Sequence, residues 1–321
     1  MTTSSSLGGS SGTEPRTTGH VWVDGRLLPA DGPHVSVFDR GFQLGDGIFE
    51  TLRVRGAHAT ELSEHITRLR GSAAGLDISL PDDLEEILAV GIGDLLVADG
   101  LDGPAGDASV RITVSRGAFR GRGLLPPDEN VAATIAIQAW RVMPPPAGHL
   151  EHGLRLVASA VRRDPANPLA TLKTTSRADY VFARLEARRA GADDALFLTT
   201  DGHLSEGTTA NIFLVHTPRD GGMAELATPS LDCAILPGTT RSWLLAWAAR
   251  VGLRPVEGRL SPADLAGADE AFLSSSVAGV LAVTAFDGVP IGAGRPGPWT
   301  TRARQDREAM IEAEAAGEAP S

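Results

Sequence analysis

From Glu61 onward the apolar residues Leu62, Ile66, Leu69, Ala73 and Leu76 recur at steps of three and four, which predicts a helix with one buried face. A second helical stretch spans about 83–98. Around these helices the pattern shortens to strand length. His20-Val21-Trp22-Val23 turns at Asp24-Gly25 into Arg26-Leu27-Leu28-Pro29, and further strands are expected at 47–54, 109–115 and 131–140. Together they predict a small α+β domain over 20–141 with mostly antiparallel strands. The run Val142-Met143-Pro144-Pro145-Pro146-Ala147-Gly148 holds an extended segment and marks a linker at 142–149. A larger domain rich in antiparallel strands is expected over 150–300. Its parts are a strand at 154–158, a helix over about 177–190 stopped at Gly191, and a hairpin of 194–200 and 203–205 around Asp201-Gly202. A strand at 210–215, a helix over 241–251 and a strand at 270–273 follow. The charged, Ala-rich tail at 301–321 reads as one peripheral helix, and the polar Gly/Ser-rich residues 1–19 as a disordered leader. No internal repeat is visible.

Composition narrows the function. The 321 residues are 42% hydrophobic, enough for a sizeable core. No apolar run approaches the ~20 residues of a membrane-spanning helix, and the opening residues lack the apolar stretch of a secretory signal. A net charge of -11 argues against nucleic acid as a partner, since phosphate contacts need clustered positive charge. A single cysteine, Cys233, excludes a disulfide framework and a multi-cysteine metal site, and fits a reducing cytoplasm. The 29 basic residues comprise 28 arginines and one lysine, Lys173. A bias toward Arg codons explains the missing lysines but not the one that remains. An amine can lose its proton and attack a carbonyl to form a Schiff base, whereas a guanidinium cannot.

Three stretches carry candidate chemistry. Lys173 sits in Asn167-Pro168-Leu169-Ala170-Thr171-Leu172-Lys173-Thr174-Thr175-Ser176-Arg177, just before a helix, where an apolar flank can lower its pKa. Glu206 leaves a hairpin in Leu204-Ser205-Glu206-Gly207-Thr208-Thr209-Ala210-Asn211, where a carboxylate can partner a cationic ring nitrogen. Pro237-Gly238-Thr239-Thr240 opens a helix whose free amides favour an anion, with Ser274-Ser275-Ser276 and Arg68 as further donors. Each also has an ordinary reading: a surface lysine, a polar turn, a threonine N-cap, a solvated arginine. Taken together they describe a site for a phosphorylated, lysine-linked aromatic aldehyde, pyridoxal 5'-phosphate.

In this order the motifs resemble the class IV aminotransferases, the fold type IV pyridoxal-phosphate enzymes. The resemblance covers about 21–284. It rests on Asp39-Arg40-Gly41-Phe42-Gln43-Leu44-Gly45-Asp46-Gly47-Ile48-Phe49-Glu50, His65-Ile66-Thr67-Arg68-Leu69, Lys173, Ser205-Glu206-Gly207, Pro237-Gly238-Thr239-Thr240-Arg241 and the 272–276 turn. It implies Lys173 as the Schiff-base lysine and proton shuttle, and Glu206 as the partner of the pyridine nitrogen. It further implies Arg68, Thr239, Thr240, Ser275 and Ser276 as phosphate ligands, a cofactor between two domains, and a homodimer. The chain departs from the family where many relatives carry a tyrosine four or five residues after the lysine. Arg177 and Ala178 stand there, and the sole tyrosine, Tyr180, reads as a core residue of its helix. The paired Arg and His of D-amino-acid aminotransferases is replaced by Ser115-Arg116-Gly117-Ala118-Phe119-Arg120-Gly121-Arg122-Gly123-Leu124. Arg120, Arg122 and Arg177 are therefore the candidate ligands of a substrate carboxylate. The expected activity is transamination between an amino acid or primary amine and a 2-oxo acid. Aminodeoxychorismate lyase is the runner-up, supported by the Arg-Gly-Leu loop, the Asn-Pro-Leu-Ala approach and Arg177. A non-catalytic phosphometabolite-binding protein is the third reading, disfavoured because a binder needs no deprotonable amine.

Overall fold

The computed structural model describes residues 19–104, 106–126, 131–218 and 221–318. Apart from Gly19, the leader expected at 1–19 lies outside them. Among the described residues the longer strands segregate into two sheets. The first carries β1 (His20–Val23), β2 (Arg26–Pro29), β3 (Gly47–Arg55), β4 (His58–Ala59), β5 (Asp107–Ser115) and β6 (Thr134–Arg141). Its order is β2-β1-β6-β5-β3-β4, antiparallel throughout. A short α1 (Arg40–Leu44) precedes β3, capped by the Asp39 side chain and closed by Gly45 at φ 66°. Two longer helices, α2 (Leu62–Gly75) and α3 (Leu84–Ala98), cover one face of the sheet. Ile66 and Leu69 of α2 and Leu88 and Leu95 of α3 close a core with Ile48, Leu52, Val110 and Ile137.

After Pro146 the segment expected as a linker enters α4 (Ala147–His152). Next come β7 (Leu154–Arg163), α5 (Ala178–Arg189), β8 (Asp194–Thr199), β9 (Leu204–Gly207), β10 (Asn211–His216) and β11 (Glu225–Pro229). The chain ends with α6 (Thr239–Val251), β12 (Arg254–Gly258), α7 (Pro262–Ala266), β13 (Glu270–Ser275), β14 (Gly279–Phe286), β15 (Val289–Pro290) and α8 (Pro298–Ala315). The second sheet runs β12-β11-β10-β13-β14-β7-β8-β9, with β15 on β14. It closes on itself because β9 also pairs β10, at Asn211 and Glu206. Most pairings are antiparallel, while β7 runs parallel to β8 and β14, and β11 to β12.

The ring of strands is buried on both sides, and β10 shows how. Ile212 and Leu214 point into one core with Leu196, Leu204 and Leu273. The alternate residues Phe213 and Val215 pack outward beneath α6 and α8, with Phe272, Leu244 and Trp247. A strand covered on both faces reads as an unbroken apolar run, which is how this stretch looks in the sequence. On the far side Ala183 and Ala187 bring α5 against Phe197.

Candidate active site

A cavity of about 400 Å³ opens where the two sheets meet. Lys173 lies on its wall, in an irregular segment before α5. That segment is sewn to the first sheet. The Lys173 carbonyl accepts from the Phe49 amide at 3.0 Å, its amide donates to Ser72 Oγ at 3.1 Å, and Thr174 bridges Ile48. The lysine thus belongs to one half of the chain by sequence and is fixed by the other. Its Nζ sits 4.6 Å from the centroid of the Phe49 ring. Burial lowers its pKa to about 8; Glu50 opposes that, and the charges of Arg68 and Arg177 reinforce it. An amine held there is deprotonated far more readily than an ordinary lysine, as a nucleophile or proton carrier requires.

Glu206 enters from β9, at the seam that closes the ring. Oε2 accepts from the Leu236 amide at 2.9 Å and Oε1 from the Tyr180 hydroxyl at 3.2 Å, while Arg163 Nη2 stays 3.8 Å away. Burial pushes its pKa up, and the cations Arg163, Arg177 and Lys173 pull against that. A buried carboxyl whose cation Arg163 stays beyond hydrogen-bond distance suits a cationic ring nitrogen brought to it from the cavity. Tyr180 corrects its reading as a plain core residue. Its ring packs on Phe197 at 5.2 Å, but its hydroxyl reaches Glu206 and it lines the cavity.

The anion-binding candidates converge. Thr239 and Thr240 begin α6, whose N-cap, Gly238, offers no side chain. Free first-turn amides there favour an anion. Gly238 has a packing reason as well, since a Cβ would fall 2.2 Å from Asn211 Oδ1. Thr239 Oγ1 and Ser276 Oγ stand 3.2 Å apart, and Ser275 lines the same wall. Ser274, one residue before the predicted pair, has a buried hydroxyl with no hydrogen-bond partner among the described residues. Arg68 arrives from α2. Its Nε and Nη2 each donate to Glu50 at 2.7 Å, and Nη1 donates to the Pro237 carbonyl at 2.9 Å. A guanidinium has five N–H donors, so this leaves capacity for an incoming anion. Glu50 also accepts from His65 Nδ1 at 2.8 Å. Burial disfavours its charge, yet the Arg68 and His65 hydrogen bonds hold its pKa down to about 2. An orphaned buried hydroxyl, an uncapped helix start and a pre-aimed guanidinium fit a phosphate group.

The structure gathers Lys173, Glu206, Arg68, Thr239, Thr240, Ser275, Ser276 and Arg177 on one cavity. Arg120 and Arg122 lie elsewhere, exposed on a loop whose Gly123 and Leu124 carbonyls are held by Arg40. Sequence reasoning assigned no role to Phe49, Glu50, His65 or Arg111. Arg111, on β5, stacks its guanidinium 3.8 Å from the Phe49 centroid. Burial, followed by the charge of Arg177, lowers its pKa to about 10. Among the described residues neither Arg111 nor Arg177 has a carboxylate ion-pair partner. Arg177 donates to the Thr208 carbonyl at 2.8 Å and stacks on Tyr180.

The profile of the family Amino-transferase class IV matches residues 47–286. A Methanocaldococcus jannaschii protein, named provisionally as a branched-chain-amino-acid aminotransferase, is 34% identical over 89% of this chain and 94% of its own. The D-alanine aminotransferase of Bacillus licheniformis is 30% identical over 87% and 93%. Among solved structures, the branched-chain amino acid aminotransferase of Escherichia coli superposes at a TM-score of 0.83. It is 27% identical and covers 92% of this chain and 95% of its own. The chain belongs to the class IV aminotransferases and has their fold type IV architecture. It is a pyridoxal-phosphate-dependent transaminase, with an amino donor and a 2-oxo acid as substrates.

Proposed function

We propose that Lys173 is the amine that holds the cofactor covalently and moves the proton during transamination, with Glu206 as the partner of the ring nitrogen. Bound pyridoxal phosphate supplies an aldehyde carbon for the amine and a ring that withdraws electrons from the substrate's α carbon. Lys173, with its pKa near 8, can take a proton from that carbon and deliver it to the cofactor's former aldehyde carbon. Glu206 stabilises a proton on the ring nitrogen, and Tyr180 and the Leu236 amide fix the carboxyl in place. Arg68, Thr239, Thr240, Ser274, Ser275 and Ser276 form the phosphate cup. Arg111 and Arg177, without carboxylate ion-pair partners among the described residues, hold the carboxylate of the amino donor or of the 2-oxo acid. The observation that carries this reading is a single desolvated amine and a buried carboxyl lining one cavity with the cup.

We read 20–141 and 150–300 as two domains flanking the site, and a cytoplasmic location from the lone, buried Cys233. Among the described residues no helix is long and apolar enough to cross a membrane. A homodimer is supported by exposed Phe42, Leu124 and Leu125, at 74%, 82% and 83% exposure, on segments that Arg40 ties together. Arg120 and Arg122 share that exposed surface. An amino donor alone should yield about one equivalent of keto product and then stop until a 2-oxo acid is added. Glu206→Gln should keep the cofactor and lose turnover by about 100-fold or more. Indifference to a broad donor panel, with steady pyruvate release from aminodeoxychorismate, would return the lyase instead.

A further inference from the structure

The C-terminal helix is not the peripheral element its charged sequence suggests. Arg307, in the middle of α8, is 1% exposed and among the largest fully buried side chains. It donates to both carboxylate oxygens of Glu61, at 2.7 and 2.8 Å, and its Nη2 lies 3.4 Å from Thr240 Oγ1. Glu61 is the N-cap of α2, in the left-handed region at φ 53°, and its amide donates to Glu314 of α8 at 3.1 Å. Arg68 follows two turns along α2. Thr240 stands in the first turn of α6. One guanidinium therefore grips the starts of the two helices that carry Arg68 and Thr240.

We propose that α8 is a strap bracing the phosphate cup from behind, with Arg307 its positioning residue. The inference rests on reading Arg68, Thr239 and Thr240 as phosphate ligands. The strap is fastened at both ends. Toward the first sheet Glu308 pairs with Arg53 at 2.6 Å and Arg55 at 3.3 Å, and Glu314 with His58 at 3.2 Å. Toward the second, Glu270 accepts from the Trp299 and Thr300 amides, and Asp306 accepts from Trp247 at 2.8 Å. The outer ion pairs are partly solvated and individually weak. The Arg307–Glu61 pair is different, because removing one buried partner strands the other. Burial disfavours the Glu61 carboxylate, but Arg307 and a hydrogen bond from Thr239 hold its pKa below the ordinary value. A Thr240 hydroxyl that accepts from Arg307 keeps its own proton to donate to an anion.

The test is to strip the full chain of cofactor and titrate it with pyridoxal 5'-phosphate and, separately, with pyridoxal, which lacks the phosphate. Arg307→Met and Glu61→Gln should each weaken the phosphorylated ligand by about tenfold or more while moving pyridoxal by less than about twofold. Arg307→Lys should recover part of the loss. A variant that fails to fold is replaced by the milder Glu61→Gln, which keeps the side-chain volume. Equal losses for both ligands, or none for either, would overturn the strap. Ser276→Ala separates the two ideas, since Ser276 lines the cup and touches neither Glu61 nor Arg307: if it weakens the phosphorylated ligand and Arg307→Met does not, the cup stands and the strap falls. If neither does, the cup reading fails and takes the strap with it.

Discussion

Beside the start of α6 Arg68 is locked by both oxygens of Glu50, which His65 holds in turn. Around Phe49, Arg111 and Arg177 are equally cationic but lean only on aromatic rings, a hydroxyl and a carbonyl. The contrast separates two kinds of occupant. A group that stays bound through every cycle is met by donors aimed in advance, so that binding it orders nothing further. In the function proposed above, a substrate that must enter and leave meets cations whose charge only the substrate itself compensates. Lys173 stands between them, destabilised as a cation chiefly by burial and further by Arg68 and Arg177, with Glu50 opposing.

The largest effect should come from breaking the locked side. Arg68→Leu removes a charge-assisted contact of about 1.5 to 3 kcal/mol, so cofactor affinity should fall by about 10- to 150-fold in an equilibrium titration. Glu50→Gln should go the same way, because its carboxylate aims Arg68. If both variants hold the cofactor like the parent, the phosphate lies elsewhere. Breaking the other side should act on substrates instead. Arg111→Met is expected to raise KM for carboxylate substrates about tenfold and leave cofactor affinity unchanged. Equal effects on amines lacking a carboxylate would remove Arg111 from that role.

The smallest effect is set by pH. A lysine whose pKa is lowered to about 8 is more neutral at each pH than an ordinary one, and its neutral fraction still grows as pH rises through 8. Cofactor uptake by the stripped protein should therefore quicken about fivefold between pH 7 and 8 and level off above 9. A rate still climbing at pH 10 would mean an ordinary lysine.

Much of the site was legible because its residues break local rules. A lone lysine among 28 arginines and a glutamate in a Gly/Thr turn stand out in a one-dimensional reading. Arg111 does not. It occupies a polar position of an alternating strand, where a solvated arginine is the normal expectation. Its stacking on Phe49 appears only when β3 and β5 pair. Glu50 left a signal, a carboxylate inside the apolar run Gly47-Ile48-Phe49-Glu50-Thr51-Leu52, but its meaning needs α2 laid across β3. In the fold, the amphipathic α2 was clear from its stripe. β11, β12 and β14 were missed, since short apolar runs do not distinguish strand from helix. The closure of the ring rests on one pairing, Asn211 with Glu206, that no local pattern encodes. The burial of Arg307 is likewise a fact about packing, hidden in a tail whose composition reads as solvated.

The central claim is that the sole lysine carries the cofactor. Borohydride reduction of the yellow holo-protein, followed by peptide mapping, addresses it directly. One pyridoxyl group per chain is expected, on Lys173, and none after Lys173→Ala. A label only at the N-terminal amine, or none at all, would contradict it.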